Sequence, residues 1–458
     1  MAIPHDAVII GTGQAAPALA ERLTGAGMKV AIIERGLVGG TCVNTGCTPT
    51  KTLVASAYAA HLARHAGEFG VTIEGQVGVD MKRVKARKDA VAGGSRAKVE
   101  SWLKNMKNCT LYRGHARFEA AHEMSVGTTL LTADRIFINV GTRPRIPQMP
   151  GIDQVKYLTN STMMDIDFLP PHLVIVGGGY VGLEFGQMYR RFGSEVTIIE
   201  MGPHLIQHED EDVSAAIKEI LEREGIKVRL NAKCIGFAKR GEAIVADVEC
   251  AEGPPEVSGS HLLLAVGRSP NTDDLGLEKA GISLDKHGYI LADDQLRTGV
   301  PGIWALGDCN GKGAFTHTAY NDFEIVAANI LNHEPRRVSD RITAYALYID
   351  PPLGRAGMTE AQARKSGGPI LIARWPMTQV ARAIEKGETQ GFMKISVHRD
   401  TGQILGATIL GTGGDEVIHC ILDVMYAKAP YRVLQRAMHI HPTVSELIPT
   451  LLEQLKPV

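Results

Sequence analysis

Two cysteines, Cys42 and Cys47, stand five positions apart in the run Gly39-Gly40-Thr41-Cys42-Val43-Asn44-Thr45-Gly46-Cys47-Thr48-Pro49-Thr50-Lys51. A pair of thiols can store two electrons as a disulfide, so the spacing is the first thing to test. In a regular helix the Cα atoms of residues i and i+5 are about 8 to 9 Å apart, beyond the roughly 7 Å that a disulfide spans. Pairing therefore requires the backbone to leave the helical path. Gly46 permits that departure, and Pro49 is expected to disrupt the hydrogen-bond ladder just downstream. A pair at the start of a helix would also sit in the positive field of its N-terminus, which favours the thiolate. Taken alone, such a pair reads more readily as two buried free cysteines.

The residues upstream decide between those readings. Ala7-Val8-Ile9-Ile10 is a short apolar strand run leading into Gly11-Thr12-Gly13-Gln14-Ala15-Ala16 and a helical pattern from Pro17 to Thr24. Gly11, Gly13 and Ala16 are the small residues that let a pyrophosphate approach a helix N-terminus. The next strand, Lys29 to Ile33, ends on Glu34, placed to accept from the ribose hydroxyls of an adenosine. The pattern recurs at Leu173 to Val176, Gly177-Gly178-Gly179-Tyr180-Val181-Gly182, and a strand from Glu195 to Ile199 ending on Glu200. Two such folds imply two dinucleotides, and a thiol pair following the first reads as a redox-active disulfide facing a flavin. Glu200 would accept a 2′-hydroxyl and repel a 2′-phosphate, which favours NADH. Arg190 and Arg191, just before it, keep NADPH open; otherwise they are solvated helix charges.

With these motifs the chain resembles, from end to end, the class I pyridine nucleotide-disulfide oxidoreductases, a family that includes dihydrolipoamide dehydrogenase, glutathione reductase and mercuric reductase. Asn139-Val140-Gly141-Thr142-Arg143-Pro144 and Ala265-Val266-Gly267-Arg268-Ser269-Pro270-Asn271 resemble its two crossovers between cofactor domains. Ile303-Trp304-Ala305-Leu306-Gly307-Asp308 is similar to its second FAD motif, and His439-Ile440-His441-Pro442-Thr443-Val444-Ser445-Glu446 to its C-terminal active-site motif. The resemblance implies an α/β chain with two Rossmann-like domains, for FAD (1–147 and 267–335) and NAD(P) (148–266). A C-terminal α+β dimerisation domain (336–458) would follow. The cofactors implied are FAD and NADH. Gly11, Gly13, Ala16, Glu34, Gly40, Thr41, Lys51, Gly141 and Asp308, with Gly177, Gly179, Gly182, Glu200 and Gly267, are the implied binding positions. In the implied roles, Cys47 is the flavin-proximal sulfur and Cys42 the exchange thiol. Lys51, paired with Glu184, is the cation near flavin N5. His441 and Glu446 form an acid–base pair contributed across a homodimer interface. Tyr180 either covers the nicotinamide pocket or packs on the sheet, and His439 is structural.

The acceptor is less determined. The cysteine motif resembles mercuric-reductase-like sequences, and Tyr348 to Thr359 is similar to a bacterial branch that includes copper(II) reductases. Thiolates do select soft ions. Mercuric reductases, however, carry a C-terminal cysteine pair and lack the active-site histidine, whereas this sequence ends Leu451-Leu452-Glu453-Gln454-Leu455-Lys456-Pro457-Val458 and contains His441. The His441 motif instead resembles dihydrolipoamide dehydrogenase, so electron transfer to a dithiol or disulfide substrate is expected. A soft-metal-ion reductase and a non-catalytic redox-sensing flavoprotein are the alternatives.

Composition sets limits on these readings. A chain of 458 residues with 44% apolar content can bury several cores, and a net charge of −1 gives no field to draw nucleic acid or anionic membrane. The charges from Lys82 to Lys88 are expected on an exposed helix face. No apolar run approaches ~18 residues, and no basic leader precedes the first strand, so neither a membrane span nor a signal peptide is expected. These features point to the cytoplasm. Of seven cysteines, Cys109, Cys234, Cys250, Cys309 and Cys420 are isolated and expected as buried or half-buried free thiols. A long polar helix is expected from Met81 to Lys107 and another from Asp210 to Glu224. Strands are expected at Gly391 to Val397 and Gln403 to Leu410, then two helices.

Overall fold

A computed structural model describes residues 1–249 and 253–458. Its first sheet has seven strands. Cys109–Arg113, Val30–Glu34, Ile3–Ile10 and Thr129–Ile138 run parallel in that order, and Ile303–Ala305 joins Thr129–Ile138 on its far side. Glu123–Val126 and Ala116–Ala120 complete the sheet as an antiparallel meander. The unbroken apolar run in Ile3–Ile10 follows from burial on both faces. Ala7 and Ile9 join the core under helices Ala15–Gly25 and Thr316–Ala327, while Val8 and Ile10 join the core on the opposite side.

The second sheet repeats this logic with five parallel strands, Lys227–Arg229, Glu195–Ile199, His172–Val176, His261–Leu264 and Tyr157–Leu158. Leu173 and Ile175 face one core, and Val174 and Val176 face another roofed by the antiparallel strands Lys233–Arg240, Ala243–Glu249 and Glu256–Gly259. The chain enters and leaves this unit through two short strands, Thr142–Pro144 and Arg268–Pro270, which pair with each other. The third sheet, of six antiparallel strands, includes Ala344–Leu347, Leu353–Gly357, Phe392–His398 and Ile404–Leu410. The architecture is α/β, with two Rossmann-like units and an α+β module. Helices Gly414–Tyr426, Arg432–Gln435 and Leu447–Glu453 follow the last of these four strands, three rather than the two expected, because the 441–446 motif separates the last two.

The long polar helix spans Met81–Asn105, started by the Asp80 carboxylate accepting from the backbone of Lys82 and Arg83. One expected surface charge is not on the surface. Lys88 is 4% exposed and its Nζ donates to the Met164 carbonyl at 2.7 Å as well as pairing with Asp89. Cys309 is buried and Cys109 and Cys420 are half-buried free thiols; Cys250 and the side chain of Cys234 lie outside the described residues. Among the described residues no helix is long and apolar enough to cross a membrane.

Candidate active site

Cys42 sits on the short helix Gly40–Asn44, and Cys47 opens the 18-residue helix Cys47–Arg64. The break between them falls at Thr45 and Gly46. A Cβ on Gly46 would lie 2.9 Å from the Thr41 carbonyl oxygen and 3.2 Å from Cys42 Cα, so only glycine lets the two segments fold this closely. The fold brings the two cysteine side chains close enough to share a proton. Pro49 does not disrupt the ladder as expected. It occupies the first turn of the long helix, where a backbone donor would have no partner in any case.

The two thiols hold their protons unequally. The hydrogen bond from Cys42 lowers Cys47 to about 6; burial opposes this, and the Thr316 hydroxyl and the Lys51 charge add to it. The same hydrogen bond raises Cys42, reinforced by burial. The shared hydrogen bond therefore favours the thiolate at Cys47 and keeps the proton on Cys42. Thr316 Oγ1, the first residue of its own helix, lies 3.2 Å from Cys47 Sγ. One turn past Cys47, Lys51 forms an ion pair with the buried Glu184 of helix Tyr180–Phe192. The second Glu184 oxygen accepts from the Tyr348 backbone at 3.0 Å, and Lys51 Nζ stands 4.5 Å from the centre of the Tyr348 ring.

These groups line one end of a cavity of about 1130 Å³ that extends to Glu34. Ligand pockets are usually ~300–1,000 Å³, so the space suits a large ligand. Glu34 is oriented by the Thr12 and Gly36 backbone amides, at 3.0 and 2.7 Å. Gly11, at φ +95°, approaches Asn139 so closely that a Cβ would lie 2.4 Å from its carbonyl oxygen. The Asn139 Nδ2 amide is buried with no hydrogen-bond partner and stands 3.2 Å from where a Cβ of Gly13 would be. An unpaired donor at a glycine turn asks for an acceptor such as a phosphate oxygen. Gly40, Thr41, Gly141 and Asp308 also face the cavity, and Ala16 is fully buried where helix meets sheet. Asp308 accepts from Thr142 Oγ1 at 2.8 Å, and burial raises its carboxyl. This donor and acceptor set fits FAD.

The second fingerprint repeats the close turn. A Cβ on Gly177 would lie 2.4 Å from the Ala265 carbonyl, and one on Gly182 would lie 2.1 Å from that of Gly177; Gly179 faces open space. Glu200 accepts from the Gly178 amide at 2.6 Å, the Gly202 amide at 2.7 Å and Gln207 Nε2 at 3.0 Å. Gly267 starts the return crossover, its carbonyl accepting from Arg145 at 3.0 Å. Arg190 and Arg191 neither approach Glu200 nor lie in solvent. Arg191 is 6% exposed and bonds to Glu224 and Asp350, and Arg190 bonds to the carbonyls of Glu224 and Ser194. Tyr180 lines the cavity and tilts against Phe315, the ring centres 5.7 Å apart.

Residues 5–322 match the model of the pyridine nucleotide-disulphide oxidoreductase family, and residues 343–452 match that family's dimerisation domain. The chain belongs to this family. It is 35% identical to the probable pyridine nucleotide-disulfide oxidoreductase RclA of Escherichia coli strain K12, with 99% of both chains covered. It is 34% identical to a mercuric reductase of Streptomyces lividans (97% of this chain, 94% of that one). It is 33% identical to a dihydrolipoyl dehydrogenase of Thermus scotoductus (96% and 95%). Among solved structures it is similar to the Cu(II) complex of the HOCl-induced flavoprotein disulfide reductase RclA from Escherichia coli. That match has a TM-score of 0.89 at 34% identity, covering 98% of this chain and 99% of that one. As a pyridine nucleotide-disulphide oxidoreductase the chain is a flavoprotein that binds FAD and uses NAD(P)H.

One expected pair stands apart in this oxidoreductase. His441 Nδ1 lies 2.9 and 3.1 Å from the Glu446 oxygens, yet the His441 side chain is 75% exposed and absent from the cavity lining. Within one chain the structure does not bring it to the cysteines. Among the described residues no group of three His, Cys, Asp or Glu side chains is arranged to hold a metal ion. Sequence reasoning missed Thr316, Phe315 and the position of Tyr348 over Lys51. Thr316 and Phe315 carry no local signature; Tyr348 lies in a motif whose wording did not show which way its ring points.

Proposed function

We propose that this chain carries two electrons from NADH, by way of FAD, to the Cys42/Cys47 pair and on to a disulfide, or the reverse from a dithiol. FAD supplies the two-electron link between nicotinamide and sulfur. The observation that carries the reading is the placement of Cys47, with Sγ 3.2 Å from the Thr316 hydroxyl and one helical turn from the Lys51–Glu184 pair, at one end of the cavity that fits FAD. The Cys47 thiolate is stabilised where electrons arrive, beside the Lys51 ammonium fixed by Glu184. Cys42, still protonated, needs a base before it can attack. His441, oriented by Glu446, is suited to that task but faces outward, so a second copy of the chain must supply it, making the active unit a homodimer.

With its proton passed to His441, Cys42 attacks one sulfur of the substrate disulfide. A Cys42–substrate bond forms, and the departing thiolate takes the proton from His441. The Cys47 thiolate then attacks Cys42, closing the Cys42–Cys47 bond and releasing the second substrate thiol, which is protonated from solvent. Two electrons from NADH reopen the pair. Glu200, with Arg190 and Arg191 held by other partners, favours NADH over NADPH. The reading divides the chain as 1–147 with 267–335 for FAD, 148–266 for NADH and 336–458 for dimerisation. A pair that must be reopened at every turnover suits the reducing cytoplasm.

A second reading has one observation in its favour, the likeness to a structure described as a Cu(II) complex. A dithiol can reduce two Cu²⁺ to two Cu⁺ while closing to a disulfide, and thiolates hold the soft product. Initial rates of NADH oxidation with lipoamide, glutathione disulfide, Hg²⁺, Cu²⁺ and dioxygen separate the two, with Cys42→Ser as control. Fast cysteine-dependent turnover of a disulfide is expected. Cysteine-dependent turnover confined to metal ions would overturn the first reading for the second.

A further inference from the structure

The Glu209 and Arg355 side chains are 0% and 2% exposed and form an ion pair between the loop that follows Glu200 and strand Leu353–Gly357. Arg355 Nε donates to Glu209 Oε1 at 3.1 Å, and Tyr345 OH donates to the same oxygen. Burying two charges is expensive, and apolar side chains of similar size would fill the space as well or better. What hydrogen-bonded charges add is direction, and here the direction given is that of the Tyr345 ring.

That ring lies parallel to Phe315, with an interplanar angle of 6° and centres 5.7 Å apart. Phe315 is stacked in turn on His317, at 9° and 5.3 Å, and tilts against Tyr180. Phe315 immediately precedes helix Thr316–Ala327, and its backbone is tied to Thr318 in the first turn, so the residue that carries the ring adjoins Thr316. The same loop reaches back to the second fingerprint. Gln207 bonds Glu200, and the Ile206 amide donates to Gly178 at 3.0 Å.

We propose that Tyr345, locked by Glu209 and Arg355, is a positioning residue that acts through Phe315. It holds the Thr316 hydroxyl against the Cys47 sulfur and the Tyr180 ring against the cavity wall. One contact chain thereby serves both the sulfur and the nicotinamide side. The inference rests on the reading of Cys47 as the electron-accepting thiolate. The other titratable or charged groups around Cys47, namely Cys42, Lys51, Glu184, Tyr180 and Tyr348, are left in place by every variant below.

The test uses FAD-loaded enzyme and follows the long-wavelength thiolate–flavin band against pH after reduction by NADH. Thr316→Val removes a hydrogen bond to a charged group and should move the midpoint up by about one pH unit. Tyr345→Leu should move it the same way and raise the KM for NADH several-fold more than it lowers kcat. Tyr345→Phe, which keeps the ring but removes the hydroxyl that Glu209 orients, should recover both only in part. In the double variant, Tyr345→Leu should add nothing to the midpoint of Thr316→Val. A Tyr345→Leu enzyme with a lowered melting temperature but an unmoved midpoint, or full additivity with Thr316→Val, would make Tyr345 merely structural. Cys47→Ser separates the two levels. If the band survives that change, the reading of Cys47 fails; if it is abolished while Tyr345→Leu has no effect, only this inference fails.

Discussion

The two dinucleotide folds share a strand, a glycine turn, a helix and a strand-ending glutamate, yet present them to different surroundings. At the first, a Cβ on Gly13 would meet the Asn139 side chain at 3.2 Å, and Gly11, Gly13 and Glu34 line a cavity completed by residues far along the chain. At the second, a Cβ on Gly179 would meet nothing within 4 Å, and Gly177, Gly179, Gly182 and Glu200 are all absent from that cavity's lining. The fingerprint therefore specifies how a pyrophosphate is met and not how long the ligand stays. Enclosure by Asn139, Asp308 and the helix starting at Thr316 suits a resident flavin. The open turn suits a nicotinamide that must arrive and leave at every turnover.

The largest effect expected is that of Cys47→Ser. If enclosure holds the flavin independently of the chemistry, the variant should purify yellow with full FAD and reduce no disulfide; flavin lost along with activity would break the contrast. Next, His441→Ala should lower disulfide turnover by roughly 10²–10⁴ while leaving NADH-driven flavin bleaching intact, read by stopped-flow absorbance. Equal losses in both would show a structural histidine. Third, the two glutamates should fail in different ways. Glu34→Ala should lower the flavin recovered per chain, whereas Glu200→Ala should stay fully loaded and gain about tenfold in relative use of NADPH. The same phenotype in both would mean that the two sites are equally open. The smallest effect comes from acid. With Cys47 lowered to about 6, its thiolate is present above that pH and lost below it, so the thiolate–flavin band should be about half as strong at pH 6 as at its alkaline plateau. A band unchanged down to pH 5 would place the negative charge elsewhere.

The parts legible in sequence are those whose partners are close along the chain. Strand, glycines and acid at 7–34 and 173–200, the break at Gly46 and the His441–Glu446 pair all depend on neighbours within about one supersecondary unit. What was misread depends on distant partners. Arg191 is held by Glu224 and Asp350, 33 and 159 positions away, and Lys88 by the carbonyl of Met164, 76 positions away. The Thr316 hydroxyl meets Cys47 across 269 positions. Pro49 was a local error of another kind, because proline breaks a helix interior but suits its first turn.

The paired crossovers also bear on how such a chain can be rebuilt. Thr142–Pro144 and Arg268–Pro270 lie side by side, tied further by the Asn271 amide to Gly141 at 3.1 Å and Arg145 to Gly267 at 3.0 Å. The segment between them therefore leaves and rejoins the first fold at nearly one point, as a long insertion does. A unit attached through one such stem can be exchanged where its remaining contacts are kept, among them the core that its Leu183 and Phe185 share with Leu53, Ala57 and Leu353. Replacing the segment between the two strands with its counterpart from an NADPH-using relative should transfer coenzyme choice as a cassette. The tie from Glu209 to Arg355, the Lys51–Glu184 pair, and the bonds from Arg191 to Asp350 and from Lys394 to Asp210 and Asp212 are among the contacts the graft would have to reproduce.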